Sequence, residues 1–152
     1  MTHPEERLAA LGLAVPEVAK PVAAYVPAVR SGDHVFTSGQ LPMRGGELMV
    51  TGKVGGEVDP EEARACAQQC ALNALAAVKA ELGDLALVKR IVKVVVFVAS
   101  TPDFTGQPQV ANGASELFGQ VFGDAGVHAR SAVGVPVLPL DSPVEVEIVV
   151  EV

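Results

Sequence analysis

The chain has 152 residues, 49% of them hydrophobic and only 4% aromatic, with a formal net charge of -7 and a sequence pI near 4.9. That length supplies one core and not two, and Gly and Pro are scattered through it without forming a linker, so a single domain over residues 1–152 is expected. The acidic balance, with no run of Lys or Arg to neutralise a row of phosphates, argues against nucleic acid as a partner.

The opening Met1-Thr2-His3-Pro4-Glu5-Glu6-Arg7 lacks the positive start and apolar centre of a secretory signal. It reads as a short capped helix running to Leu13, within an N-terminal helical extension over residues 1–20. A cytoplasmic protein is expected. Strand-like runs follow at Val22 to Val29, His34 to Ser38 and Leu48 to Gly52, separated by Ser31-Gly32-Asp33 and Arg44-Gly45-Gly46-Glu47. These read as successive antiparallel strands.

Asp59-Pro60-Glu61-Glu62 supplies an N-cap, a proline at the first helical position and acids in the first turn. Ala63, Cys66, Ala67, Cys70, Ala74, Ala77 and Val78 then mark a small-residue stripe on a long helix that ends near Leu82-Gly83. Such a stripe lets a helix lie close to a sheet. Cys66 and Cys70 fall one turn apart on it, poorly placed for a disulfide and too few for a metal site, so both read as core packing.

Ile91 to Ala99 is the longest apolar stretch; it contains Lys93 and is far short of a membrane span, hence a buried strand. A turn at Ser100-Thr101-Pro102-Asp103-Phe104 leads to a second helix from about Gln109 to Phe122. The strand Arg130 to Val137 and the turn Leu138 to Pro143 follow. In the last strand, Val144 to Val152, the residues Val144, Val146, Ile148, Val150 and Val152 face one way and Glu145, Glu147 and Glu151 the other. The order β-β-β-α-β-α-β-β predicts an α+β sheet with both helices on one face. Its other face is left bare, and self-association is the simplest cover.

No phosphate-binding glycine loop, Gly-x-Ser-x-Gly elbow or metal-binding His pair is present, and no cofactor or metal is expected. Of three histidines, His3 is terminal and His34 opens a strand after a turn. His128 stands two residues before Arg130, so the two side chains share a side; together they suggest an anion site, with a proton-transfer role for His128 as the other reading. Arg130 precedes the apolar Ala132-Val133-Gly134-Val135 and needs an anionic partner. A structural carboxylate such as Glu145 would serve, and so would the carboxylate of a ligand held by the guanidinium fork.

Four segments resemble the RidA/YjgF family: Gly32-Asp33-His34-Val35-Phe36-Thr37-Ser38-Gly39-Gln40-Leu41-Pro42; Val92-Lys93-Val94-Val95-Val96-Phe97-Val98 with Asp103-Phe104; Ala129-Arg130-Ser131-Ala132-Val133-Gly134-Val135 with Leu138-Pro139; and Val144-Glu145-Val146-Glu147. They occur in the family's order and cover nearly all of the chain from Tyr25 onward. The resemblance implies a chorismate-mutase-like fold assembled as a homotrimer, its sheets forming an inner barrel with clefts between subunits. It implies hydrolytic deamination of small reactive 2-enamino or 2-imino acids to 2-oxo acids. Arg130 would hold the substrate carboxylate and Glu145 would handle water; Tyr25, Ser38, Asn112 and the main chain of Ala132 match the family's binding positions, with His128 beside them where a proline is usual. The alternative is a module that binds a small carboxylate such as a 2-oxo acid without turnover. Endoribonuclease activity, attached to some relatives, fits the acidic charge poorly.

Overall fold

The structure, a computed structural model, describes residues 2–19 and 23–152. Helix α1, Pro4–Ala10, is capped by the His3 imidazole, which accepts from the Glu5 amide, and it buries Leu8 in the core. It stops short of the expected Leu13. Gly12, at a φ of 75°, lets the Gly12 amide donate to Ala9 and the Leu13 amide to Leu8, the two bonds that close a helix C-terminus. The rest of the extension up to Ala19 is irregular.

The main sheet has five strands in the order β1-β2-β7-β5-β6: β1 is Ala28–Ser31, β2 His34–Thr37, β5 Arg90–Ala99, β6 Ala129–Val135 and β7 Val144–Glu151. Every neighbouring pair is antiparallel except β5 and β6, which run parallel through a helical crossover. The first strand begins later than expected because Pro27 has no N–H for a ladder; Val22, where the expected run starts, lies outside the described residues. The third expected strand does not join the sheet. Only Glu47–Leu48 (β4) pairs, with Met43–Arg44 (β3), as a separate two-residue hairpin. Beyond it the chain's amides turn to other partners, Met49 to the Pro42 carbonyl and Gly52 to that of Asp141.

Helix α2, Pro60–Leu82, has the expected ends: the Asp59 carboxylate accepts from the Glu62 amide at 2.9 Å, and Gly83 closes the C-terminus in the left-handed region. Its small stripe lies against β7, β2 and β1, while helix α3, Gln107–Phe122, covers β5 and β6 on the same face. Val35, Val94, Val96, Val98, Val144, Val146, Ile148 and Val150 form the sheet side of this core, all essentially inaccessible. Cys66 and Cys70 are buried and free, and the Cys70 thiol reaches the Val144 carbonyl at 3.8 Å. Burial pushes the Cys66 thiol up to about 11 and Cys70 well above its ordinary value, so neither is a thiolate.

The alternation of β7 holds as read, with Val144, Val146, Ile148 and Val150 inward and Glu145, Glu147 and Glu151 on the opposite face. That second face carries no helix. Val29, Phe36 and Val133 stand on it about half exposed, beside Val95, Phe97 and Val149. Among the described residues no helix is long and apolar enough to cross a membrane.

The two helices cross at Gly113, where a Cβ would lie 2.1 Å from the Arg64 carbonyl oxygen. Neither backbone can yield without separating α2 from α3. Gly119, in the same helix, has open space where its Cβ would go. Gly113→Ala should therefore lower unfolding stability by about 1–3 kcal/mol, whereas Gly119→Ala should raise it by up to about 1 kcal/mol through helix propensity. Urea midpoints of the two variants check this; equal effects would show that helix propensity, and not the crossing, sets the cost at Gly113.

Candidate functional site

The N-terminal half of β6 carries a connected polar cluster. Register with Val94 on β5 turns Arg130 toward the helix side of the sheet, under α3. There its Nη1 donates to Asn112 Oδ1 at 2.7 Å and to Ser115 Oγ at 3.2 Å. Asn112 and Ser115 sit three apart on α3, hence on one face of the helix. Ser115 Oγ lies 2.8 Å from His128 Nε2, and His128 Nδ1 lies 2.6 Å from the Gly126 carbonyl oxygen. The Phe118 ring meets the imidazole edge-on.

For a neutral imidazole, the donor and acceptor inventory orders this chain in one way. The Gly126 carbonyl only accepts, so Nδ1 carries the imidazole proton and Nε2 offers a lone pair. Arginine only donates, so Ser115 accepts from Arg130 and gives its own hydrogen to Nε2. Burial, and then the Arg130 charge, push the His128 pKa below its usual value despite the Gly126 bond. His128 is thus a neutral acceptor in the second rank, which corrects the expectation of two cations side by side. No signal singled out Ser115 in the sequence; its i+3 spacing from Asn112, among the apolar Val110, Ala111, Ala114 and Leu117, is the clue that could have.

Both Arg130 bonds leave from Nη1 and both acceptors are uncharged. Among the described residues no carboxylate pairs with Arg130, and no partner meets its Nε or Nη2. Glu145, expected as the structural alternative, is not its partner. Glu145 is opposite Phe97 on the bare face of β7, with β5 between it and β6, so the two residues are separated by two strand spacings of about 5 Å each and by the thickness of the sheet.

Glu145 belongs to a second cluster. Its carboxylate lies against the Gly39 main chain, where a Cβ would come within 1.8 Å of Oε1. Any side chain at 39 would displace it. Burial first, and Glu147 next, raise its pKa. Ser38, beside Gly39, donates its hydroxyl to the Val26 carbonyl at 2.6 Å and its amide to Pro27, tying down the segment that carries the exposed Tyr25. Gly39 also lines a largely apolar cavity of about 570 Å³ with Tyr25, Gln40, Arg44 and Gln69, a lining that includes neither Glu145 nor Arg130. Ala132 faces α3's side of β6 in register with Val96, and His34 lies at the start of β2 with its ring tilted toward Phe36. One chain thus gathers Arg130, Asn112 and His128 in one place and Tyr25, Ser38 and Glu145 in another. Among the described residues no group of three His, Cys, Asp or Glu could hold a metal ion.

Residues 5–152 match the family described as "YjgF/chorismate_mutase-like, putative endoribonuclease". The chain is 47% identical over 142 residues to Protein TCP17 of Trypanosoma cruzi, covering 93% of this chain and 89% of that protein. It is 34% identical over 140 residues to a 2-iminobutanoate/2-iminopropanoate deaminase of Dermatophagoides farinae, covering 91% and 93%. The crystal structure of a protein of unknown function from Agrobacterium tumefaciens superposes with a TM-score of 0.91 at 46% identity, covering 98% of this chain and 91% of that one.

The depressed His128 pKa has a testable sign. Between the ordinary imidazole value near 6.5 and the lower folded value, the unfolded chain binds more protons, so stability falls as pH drops through that window. Glu145, its pKa raised, works the other way and is common to any His128 variant. Urea midpoints measured from pH 7.5 to 5.5 should fall more steeply for the wild type than for His128→Gln. Parallel curves would mean that His128 titrates normally in the folded state.

Proposed function

The chain belongs to the YjgF/chorismate-mutase-like family, and within it we propose that it hydrolyses small 2-enamino and 2-imino acids to 2-oxo acids and ammonia. The observation that carries this reading is the half-used guanidinium of Arg130. One nitrogen is pinned by two neutral acceptors while Nε and Nη2, the edge that grips a carboxylate through two parallel bonds, have no partner among the described residues. A partly buried guanidinium left so is suited to an anionic ligand of matching planarity. The resemblance to a 2-iminobutanoate/2-iminopropanoate deaminase supplies the chemical class.

In this reading Arg130 fixes the substrate carboxylate, which sets the neighbouring imine carbon in place. Water adds to that carbon to give a carbinolamine, and the C–N bond then breaks to release ammonia and the 2-oxo acid. Glu145 takes a proton from the attacking water and returns it to the departing nitrogen, a role suited to a carboxyl whose pKa burial raises above its ordinary value. Imines hydrolyse in water unaided, so orientation and one proton-transfer group suffice without a cofactor. Tyr25 and Ser38 shape the wall beside Glu145, Asn112 holds Arg130, and the Ala132 main chain lines the far side.

Since Arg130 and Glu145 lie on opposite faces of one sheet, a working cleft takes each from a different copy. We place the site between subunits of a homotrimer, in which the bare sheet faces with Val29, Phe36 and Val133 turn inward and are covered. The reading is of a cytoplasmic enzyme with a small carboxylate substrate, no membrane attachment and no nucleic-acid partner, consistent with the net charge of -7.

Light scattering should give a particle of about three times the 15.6 kDa chain. With 2-iminobutanoate generated by an amino-acid oxidase, the wild type should speed its loss over the protein-free mixture. Arg130→Lys, which keeps the charge and loses the fork, should lower kcat/KM at least about tenfold, or about 1.4 kcal/mol, with the assembly intact. Wild-type turnover no faster than the blank, with 2-oxobutanoate still bound, would favour a carboxylate-binding module. Full turnover in a folded Arg130→Ala would remove the site altogether.

A further inference from the structure

We infer that His128 is a positioning residue for the carboxylate grip and that it acts on Arg130 through Ser115. This deepens the reading of Arg130 as the carboxylate-binding group and rests on it. A hydroxyl can turn, and on its own Ser115 could point its hydrogen at Arg130 and repel it. The imidazole Nε2 at 2.8 Å removes that freedom by taking the hydrogen, so that the oxygen lone pairs are left facing the guanidinium 3.2 Å away. The imidazole is in turn fixed by Nδ1 donating to the Gly126 carbonyl at 2.6 Å and by the edge of Phe118.

The consequence for Arg130 is directional. Asn112 Oδ1 and Ser115 Oγ, three residues apart on α3, both take hydrogens from Nη1, so the planar group cannot rotate about its long axis without losing one of them. Its remaining edge is then held toward the ligand before the ligand arrives, which lowers the ordering cost of binding. His128 reaches no free space of its own beyond this chain, since both of its ring nitrogens are engaged. The charged group acting on it is Arg130, two residues on in β6; from α3, Glu116 is turned away to Arg64 of α2, and from β5, Arg90 donates to the Val127 carbonyl next to it.

The test is calorimetric titration of 2-oxobutanoate into the full-length protein and its variants, with melting temperatures as a check on folding. Ser115→Ala and His128→Ala should each weaken binding about tenfold. The double variant should bind no more weakly than Ser115→Ala alone, because His128 acts through that hydroxyl. His128→Gln, whose side-chain oxygen can accept the same hydrogen, should recover most of the lost affinity. Imidazole nitrogen spectra of the ligand-free wild type should show the proton on Nδ1. Unchanged affinity in folded Ser115→Ala, losses that add in the double variant, or a proton on Nε2 would each overturn the inference. If Arg130→Ala abolishes binding while Ser115→Ala leaves affinity unchanged, only the positioning role falls; if the wild type binds no 2-oxobutanoate, the carboxylate reading falls with it.

Discussion

The close approach of α2 to the sheet governs the rest of the molecule. Ala63, Cys66, Ala67, Cys70, Ala74 and Ala77 present almost no side-chain depth, so the helix lies near enough for a cysteine thiol to touch a strand carbonyl. The packing is van der Waals contact over a long seam, which gains from each small residue and tolerates no larger one. With α3 crossing at Gly113 to share the same side, both helices are committed to one face and none is left for the other. Two later properties follow from that one-sidedness: the bare apolar face, and the division of the polar residues between two surfaces.

Legibility in the sequence tracks how local the cause of each feature is. Asp59, Pro60 and Gly83 act within one turn of themselves, and α2 has the ends they announce. The alternation in β7 is decided by which side is wet, and it too reads directly. The run Leu48 to Gly52 misled because its apolar content is real but its backbone partners, Pro42 and Asp141, are distant and irregular. The site divides in the same way. Arg130 is legible as an unsatisfied cation before an apolar strand, whereas the exclusion of Glu145 as its partner depends on sheet order, which no local pattern encodes. Ser115 was invisible as a small polar residue among others until the fold set it between Arg130 and His128.

Electrostatics makes the local arrangement more important than the global one. A chain of net charge -7 repels an anionic ligand at long range, and at physiological salt that field is largely screened beyond about 8 Å. Selectivity for a carboxylate at the proposed site would therefore have to come from contact. Keeping His128 neutral serves this end: a second cation beside Arg130 would raise the local positive charge but would push the guanidinium off its two acceptors. The structure has a single charged fork with uncharged supports, an arrangement that favours shape over attraction.

The separation of Arg130 and Glu145 onto opposite faces carries a genetic consequence in the proposed trimer. Each cleft would draw its arginine from one subunit and its glutamate from the next, so a chain damaged at one of the two positions spoils one cleft and still supplies its intact residue to another. When a chain lacking the arginine and a chain lacking the glutamate are made together, every mixed trimer contains one interface at which both intact residues meet. Two alleles that are each inactive alone would complement one another, and neither would act as a full dominant negative over the wild type.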